Sequence, residues 1–256
     1  MPTLRRSALF TPADDPGMMR TATESPADAL IFDLEDAVPA DHLPEARENL
    51  RRIVADMGDD VEAGVRISAV GTDMWLDDVR AAVAAGFDAV LVPKVKSPAE
   101  LSAVTDALAA STDTPPAVRF AIETPTGLLD ASAIGARAAS LPPVTGISFG
   151  LADYCRALGA PGPTESIRDR LAFRIGSVAA AHGLGAFAST HLDVGDEAGL
   201  RRVAASSRVI GLYGLSGIPP VQLPVINDVF TPHPDGVPLA PRQVDADAAS
   251  SHDAIR

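Results

Sequence analysis

Short apolar runs alternate along the chain with alanine-rich stretches in which apolar residues recur at helical spacing. The runs at Ser7–Pro12, Ala29–Asp33, Gly64–Ser68, Ala89–Val95, Val118–Glu123, Gly146–Gly150, Gly185–Thr190 and, more weakly, Val209–Ile218 predict strands. Each is short and rich in Val, Ile, Leu or Phe, as parallel strands covered on both faces are. Between them, Pro44–Met57 carries Ala46, Leu50, Ile53 and Val54 on one helical face, and Thr72–Ala85 carries Trp75, Leu76, Val79 and Val83. Pro98–Ala109 opens on a Ser97-Pro98 start signal, with Glu100 near the positive helix end. Glu165–His182 and Glu197–Ser207 complete the series. A run of βα steps without a composition break predicts one closed (β/α)₈ TIM barrel over 1–230; a doubly wound open sheet is the alternative. From Phe230 onward Pro, Asp, Ala and Ser dominate, so 231–256 reads as a loop-rich, truncated or atypical C-terminal tail. Within it Pro232–Pro241 reads as loop, and Gln243–Arg256 as a short helix with little apolar face.

The length, 256 residues, is close to the roughly 250 of one such barrel. The net charge of −13 comes from 34 acidic against 21 basic residues, without a basic stripe. That composition argues against nucleic-acid binding, and an anionic substrate would need a local cationic cluster. Cys155 is the one cysteine, which excludes an intrachain disulfide and a Cys-rich zinc site. A cytoplasmic setting is expected. No signal core or membrane span is legible.

In a parallel barrel, chemistry sits at the C-terminal ends of the strands. That rule selects Asp33-Leu34-Glu35-Asp36, Arg66-Ile67-Ser68, Pro93-Lys94, Glu123-Thr124-Pro125 and Gly150-Leu151-Ala152-Asp153. Glu35, Asp36, Glu123 and Asp153 should converge on one mouth with Arg66, and Arg6 is expected to join them. Several carboxylates in one cavity repel unless something neutralises them, and a hard divalent cation with oxygen ligands does so. Arg66 can then hold a substrate carboxylate in a two-point grip. Taken singly, Glu35 and Asp36 read equally well as helix caps or partners of loop arginines; for Glu123 and Asp153 that reading is weaker, because each ends a very apolar strand.

Together the motifs resemble a known family. Arg6-Ser7-Ala8-Leu9-Phe10-Thr11-Pro12, Asp33-Leu34-Glu35-Asp36-Ala37-Val38 with Ala46-Arg47, Val65-Arg66-Ile67, Pro93-Lys94-Val95, Ile122-Glu123-Thr124-Pro125 with Gly127, Phe149-Gly150 with Asp153, then Gln222, Val225-Ile226-Asn227 and Phe230-Thr231-Pro232 stand in the order found in the citrate lyase beta-chain-like branch of the HpcH/HpaI aldolase superfamily. The resemblance implies a Mg²⁺-dependent lyase that makes or breaks a carbon–carbon bond beside a carbonyl. It implies Glu123 and Asp153 as metal ligands, Glu123 also touching substrate, and Arg66 on the substrate carboxylate or keto oxygen. Glu35 and Asp36 would hold metal-bound waters, and Arg6 and Lys94 would approach the substrate or a CoA phosphate. The implied ligand is a small keto acid or acyl-CoA, released as a 2-keto acid from a 3-hydroxyacyl-CoA or related hydroxy acid.

The chain departs from the pattern at Ser68, where Asn is usual, at Pro219, where His is usual, and at Leu43, where Lys is usual. No Gly-x-Met-x-Asp lid segment precedes Arg256. These departures leave two alternatives: a non-catalytic or assembly subunit retaining fold and metal site, or an aldolase acting on free hydroxy acids without CoA. A homo-oligomer, a trimer or a multiple of one, is expected from the resemblance and from a poorly formed last helix after strand eight. Cys155 reads as a small packed residue, His191 as either an acid–base group at the mouth or a loop hydrogen-bonder, and His182 as a C-terminal charge partner.

Overall fold

Asp33 stands beside Arg66, and Arg66 beside Leu91, because each strand pairs in parallel with the next in a fixed register. The computed structural model describes residues 5–55, 57 and 61–231; the segments read as tail loop and tail helix lie outside them. The strands are β1 (Ser7–Pro12), β2 (Ala29–Asp33), β3 (Glu62–Arg66), β4 (Ala89–Val92), β5 (Ala117–Ile122), β6 (Val144–Phe149), β7 (Gly185–Ala188) and β8 (Gly214–Gly217). They run in sequence order, and β8 closes on β1 through Ser7 opposite Leu215, so the expected closed barrel is formed and the open sheet is not. The helices are α1 (Pro16–Thr23), α2 (Leu43–Ala55), α3 (Trp75–Ala85), α4 (Pro98–Ala109), α5 (Pro125–Ala139), α6 (Leu151–Leu158), α7 (Glu165–His182), α8 (Glu197–Val209) and α9 (Leu223–Phe230).

Alternation sends Leu30, Phe32, Val65, Val90, Phe120 and Ile122 outward into a continuous core beneath the helices. The opposite side chains, Ala8, Ala29, Ile31, Leu91 and Phe187, form a separate cluster inside the barrel. Small residues make room there: a Cβ on Gly64 would lie 2.7 Å from Ile31 Cδ1, and one on Gly214 would lie 2.5 Å from the Phe187 ring. Tyr213 meets Phe187 edge to face at 5.3 Å, and Glu62, paired with both Arg5 and Arg119, lies toward the N-terminal end.

Several boundaries differ from the sequence reading. Strand three begins at Glu62 and ends at Arg66 rather than Ser68, strand four ends at Val92, and Val209 belongs to α8, with β8 starting only at Gly214. The last helix, read as poorly formed, exists. A 3₁₀ turn at Pro220–Gln222 leads into α9, whose Leu223, Ile226 and Phe230 are fully buried. This helix packs on α8, β1 and β8, so the poorly formed helix from which a homo-oligomer is in part expected is not found. Pro224, which obscures the pattern, sits in the first turn, where its missing N–H has no partner to lose.

Candidate metal and substrate site

The inward faces of β2 and β3 end together at the mouth. Asp33 is 2 % exposed, and its carboxylate accepts hydrogen bonds from Arg66 Nε at 2.6 Å and Nη2 at 2.5 Å, and from the backbone N–H groups of Glu35 at 3.0 Å and Ala37 at 3.1 Å. A buried charge is tolerated only when so satisfied. The Arg66 guanidinium lies 5.3 Å from the Phe10 ring centroid, and its Nη1 stands 3.3 Å from Glu35 Oε2, an ion pair without hydrogen-bond geometry. Burial works against the charge on Arg66, but Asp33, then Glu35 and Glu123, raise its pKa.

Lys94 follows β4 in the left-handed region at φ 52°, the one non-glycine residue there among the described residues. That conformation costs roughly 1–2 kcal/mol for a side chain with a Cβ, and a cluster of charge contacts offsets it. Lys94 Nζ lies 2.6 Å from Glu35 Oε1, 2.8 Å from Asp36 Oδ1 and 3.9 Å from Asp153 Oδ1. Burial opposes the ammonium, yet its bonds to Asp36 and Glu35 raise the pKa. Burial likewise opposes the Asp36 carboxylate, but Lys94 outweighs it and holds Asp36 below the usual range. At Glu35 burial prevails over Arg66 and Lys94, and the carboxyl is raised.

Glu123 is the first residue past β5. It is 4 % exposed, and its Oε2 has no hydrogen-bond partner. Burial pushes its carboxyl up to about 8; Glu35 and Asp153 add to the rise, and Arg66 and Lys94 oppose it. Gly150 is required beside it, because a Cβ there would lie 2.7 Å from Glu123 Cγ. Asp153 projects from the first turn of α6, 2.6 Å from Arg156 Nη1. Glu123 and Asp153 line one cavity of about 370 Å³ with Asp33, Asp36 and Arg66; Met18, Leu91, Leu192 and Ile218 supply apolar wall.

The charges around this mouth do not balance. Asp33, Glu35, Asp36, Glu123 and Asp153 face Arg66, Lys94 and Arg156, so full ionisation leaves two negative charges uncompensated. Among the described residues no group of three or more His, Cys, Asp or Glu could enclose a metal. An ion at this mouth would therefore take at most two carboxylates and complete its shell with water or ligand oxygens, as Mg²⁺ does. The orphaned Oε2 of Glu123 is the atom such an ion would satisfy.

Arg6 does not reach this mouth. It precedes β1, at the opposite end of the barrel, where Nε and Nη2 donate to Asp28 at 2.8 and 2.7 Å and Nη1 to Thr231 at 2.9 Å. Its place beside the β1 motif misled the sequence reading, since a residue before a parallel strand lies at the closed end. Glu35, Asp36, Arg66, Lys94, Glu123 and Asp153 do converge. Asp33, the main partner of Arg66, was visible as a strand-ending acid, but its role depends on strand register. His191 is 9 % exposed; its carbonyl accepts from Gln222 Nε2 at 2.8 Å, and its Nε2 lies 3.6 Å from Asp196 Oδ2 at the start of α8. Ser68 is tied to Asp78 and Leu34, and Leu43 is buried in the main core. Cys155 is buried, as expected.

Comparison with known proteins agrees with the barrel fold and places the chain in a family. A profile described as HpcH/HpaI aldolase/citrate lyase matches residues 6–220. The chain is 35 % identical over 249 residues to a (3S)-malyl-CoA thioesterase of Cereibacter sphaeroides, covering 94 % of this chain and 82 % of that one. Among solved structures, it resembles the citrate lyase beta subunit of Mycobacterium tuberculosis complexed with oxaloacetate and magnesium, at TM-score 0.75 and 29 % identity over 88 % of this chain and 96 % of that one. A complex of protein CitE from the same organism with magnesium, acetoacetate and coenzyme A aligns at TM-score 0.76 and 28 % identity, over 91 % of this chain and 83 % of that one.

Proposed function

This chain belongs to the HpcH/HpaI aldolase/citrate lyase family, and from that membership and the charge pattern of its mouth we propose that it is a Mg²⁺-dependent carbon–carbon lyase releasing a 2-keto acid from a 3-hydroxyacyl-CoA or related hydroxy acid. The observation that carries the reading is the pair Glu123 and Asp153, lining one cavity, with an orphaned buried carboxylate oxygen and a set of acids that full ionisation would leave two negative charges in excess.

Glu123 and Asp153 would hold the Mg²⁺, which when bound would supply Lewis-acid polarisation of the keto or hydroxyl oxygen. Arg66 grips the carboxylate of the keto-acid portion. Asp36, kept anionic by Lys94 and lining the cavity, takes the hydroxyl proton as the carbon–carbon bond breaks, and that same proton is returned to the carbanionic carbon of the leaving fragment. Glu35 acts less directly, bridging Lys94 and Arg66. The apolar wall keeps water from the carbanionic fragment. Binding of CoA or the thioester by this chain is supported by the relatives' ligands and names. A homo-oligomer, a trimer or a multiple of one, is part of the same reading; the exposed Leu129 on α5 and Phe173 on α7 support it, and a monomer mass in light scattering would refute it.

The test is incubation of the protein with Mg²⁺ and a set of 3-hydroxyacyl-CoA thioesters, assaying free 2-keto acid and free thiol separately. The lyase reading expects keto acid without thiol release. Thiol release alone indicates thioester hydrolysis, the activity in the name of the Cereibacter relative. Neither product, with free hydroxy acids also inert, indicates a subunit that keeps the fold without the reaction.

A further inference from the structure

Arg66 offers a ligand only part of its guanidinium. Its Nε and Nη2 are already given to the two oxygens of Asp33, at 2.6 and 2.5 Å, and the Phe10 ring lies against it. What remains is the end-on edge formed by the outward N–H bonds of Nη1 and Nη2, where Glu35 Oε2 stands 3.3 Å from Nη1 without hydrogen-bond geometry, and which is wide enough for one carboxylate. Asp33 fixes more than this edge. The same carboxylate receives the backbone N–H groups of Glu35 and Ala37, so it shapes the turn from which Glu35 reaches Arg66 and both Glu35 and Asp36 reach Lys94. One buried group thus sets the orientation of the cation and of the acids around it.

We propose that Asp33 is a positioning residue for 2-keto acid binding, holding Arg66 so that the substrate carboxylate is received end-on by Nη1 and Nη2. This rests on the lyase reading. Without the paired oxygens of Asp33, no hydrogen bond keeps Arg66 from turning further onto Glu35, 3.3 Å from its Nη1, and the edge would be lost. An amide at position 33 has the right size but one acceptor oxygen, and its NH₂ would face donors.

The experiment is calorimetric. Pyruvate affinity in saturating Mg²⁺, pyruvamide affinity under the same conditions, and Mg²⁺ affinity without keto acid are measured for wild type, Asp33→Asn, Arg66→Lys and the double variant. Asp33→Asn should weaken pyruvate by about tenfold or more, the range for loss of a charge-assisted contact. It should leave pyruvamide, which lacks the carboxylate, and Mg²⁺ within about threefold, a small part of a mutational effect of that size. In the Arg66→Lys background it should add almost nothing, since groups acting through one another are non-additive. Equal losses for pyruvate, pyruvamide and Mg²⁺, or full additivity of the two substitutions, would show Asp33 to be scaffold only and overturn the proposal. If Asp33→Asn does not fold, Asp33→Glu, which keeps the charge and shifts it by one methylene, is read by the same criteria. Wild type that binds Mg²⁺ but no 2-keto acid would sink the lyase reading, and this proposal with it.

Discussion

Glu123→Gln should make the metal-free protein more stable at neutral and alkaline pH while removing its cation site. The carboxyl is raised from 4.5 to about 8, mainly by burial. Between those values the folded protein holds a proton that the unfolded chain has released, so stability falls as pH rises across the window, and the full penalty is reached above pH 8. Each pKa unit is worth about 1.4 kcal/mol, so at pH 7 the penalty is on the order of 3 kcal/mol. For a chain of this size that corresponds to roughly 6–12 °C in melting temperature. Gln is nearly isosteric and does not ionise, and near pH 5 the comparison is between two neutral groups. Melting temperatures of wild type and variant in chelator, from pH 5 to 8, should therefore start together and diverge, wild type falling. Saturating Mg²⁺ should lift wild type selectively, because an ion that binds only the folded state stabilises it. Parallel curves in chelator would refute the argument that Glu123 is a desolvated, unpaired carboxylate.

Glu123→Ala and Asp153→Ala should each abolish the heat of Mg²⁺ binding while far-ultraviolet circular dichroism stays that of the barrel; unchanged binding in both removes the metal assignment. Arg66→Lys should weaken 2-keto acid binding by about ten- to a hundredfold, since an ammonium cannot make the paired contact, and should also lower the melting temperature because the two-point bond to Asp33 is lost; equal keto-acid affinities would leave Arg66 as a scaffold charge. His42 bonds Asp14 through Nδ1 at 2.9 Å, and that bond, with Asp41 and Glu45 nearby, raises its pKa above 6.5. Its small stabilisation should be present below pH 6.5 and vanish as pH climbs through the raised value; an NMR titration in which Asp14→Asn leaves the His42 pKa unmoved would contradict this.

The barrel could be read from the chain because buried parallel strands need contiguous Val, Ile, Leu and Phe, and β1, β2, β6 and β7 stand close to where those runs lie. The mouth acids could be read because they end such runs: Asp36, Glu123 and Asp153 all line the cavity, as does Arg66. Arg6 was misplaced although its position before β1 already assigned it to the other end. α9 was missed because Pro224 interrupts the spacing of Leu223, Ile226 and Phe230, and a proline in the first turn is harmless only once the helix start is known. Other features had no local signature. Asp33 meets Arg66 through the β2–β3 register, Lys94 reaches across from β4 by way of an unusual φ, and Glu123 owes its raised carboxyl to burial beside acids from two other strand ends. Strand-forming runs and the residues ending them are properties of neighbouring positions along the chain. The pairing of charges, and the desolvation that shifts them, depend on distances that exist only once the barrel has closed.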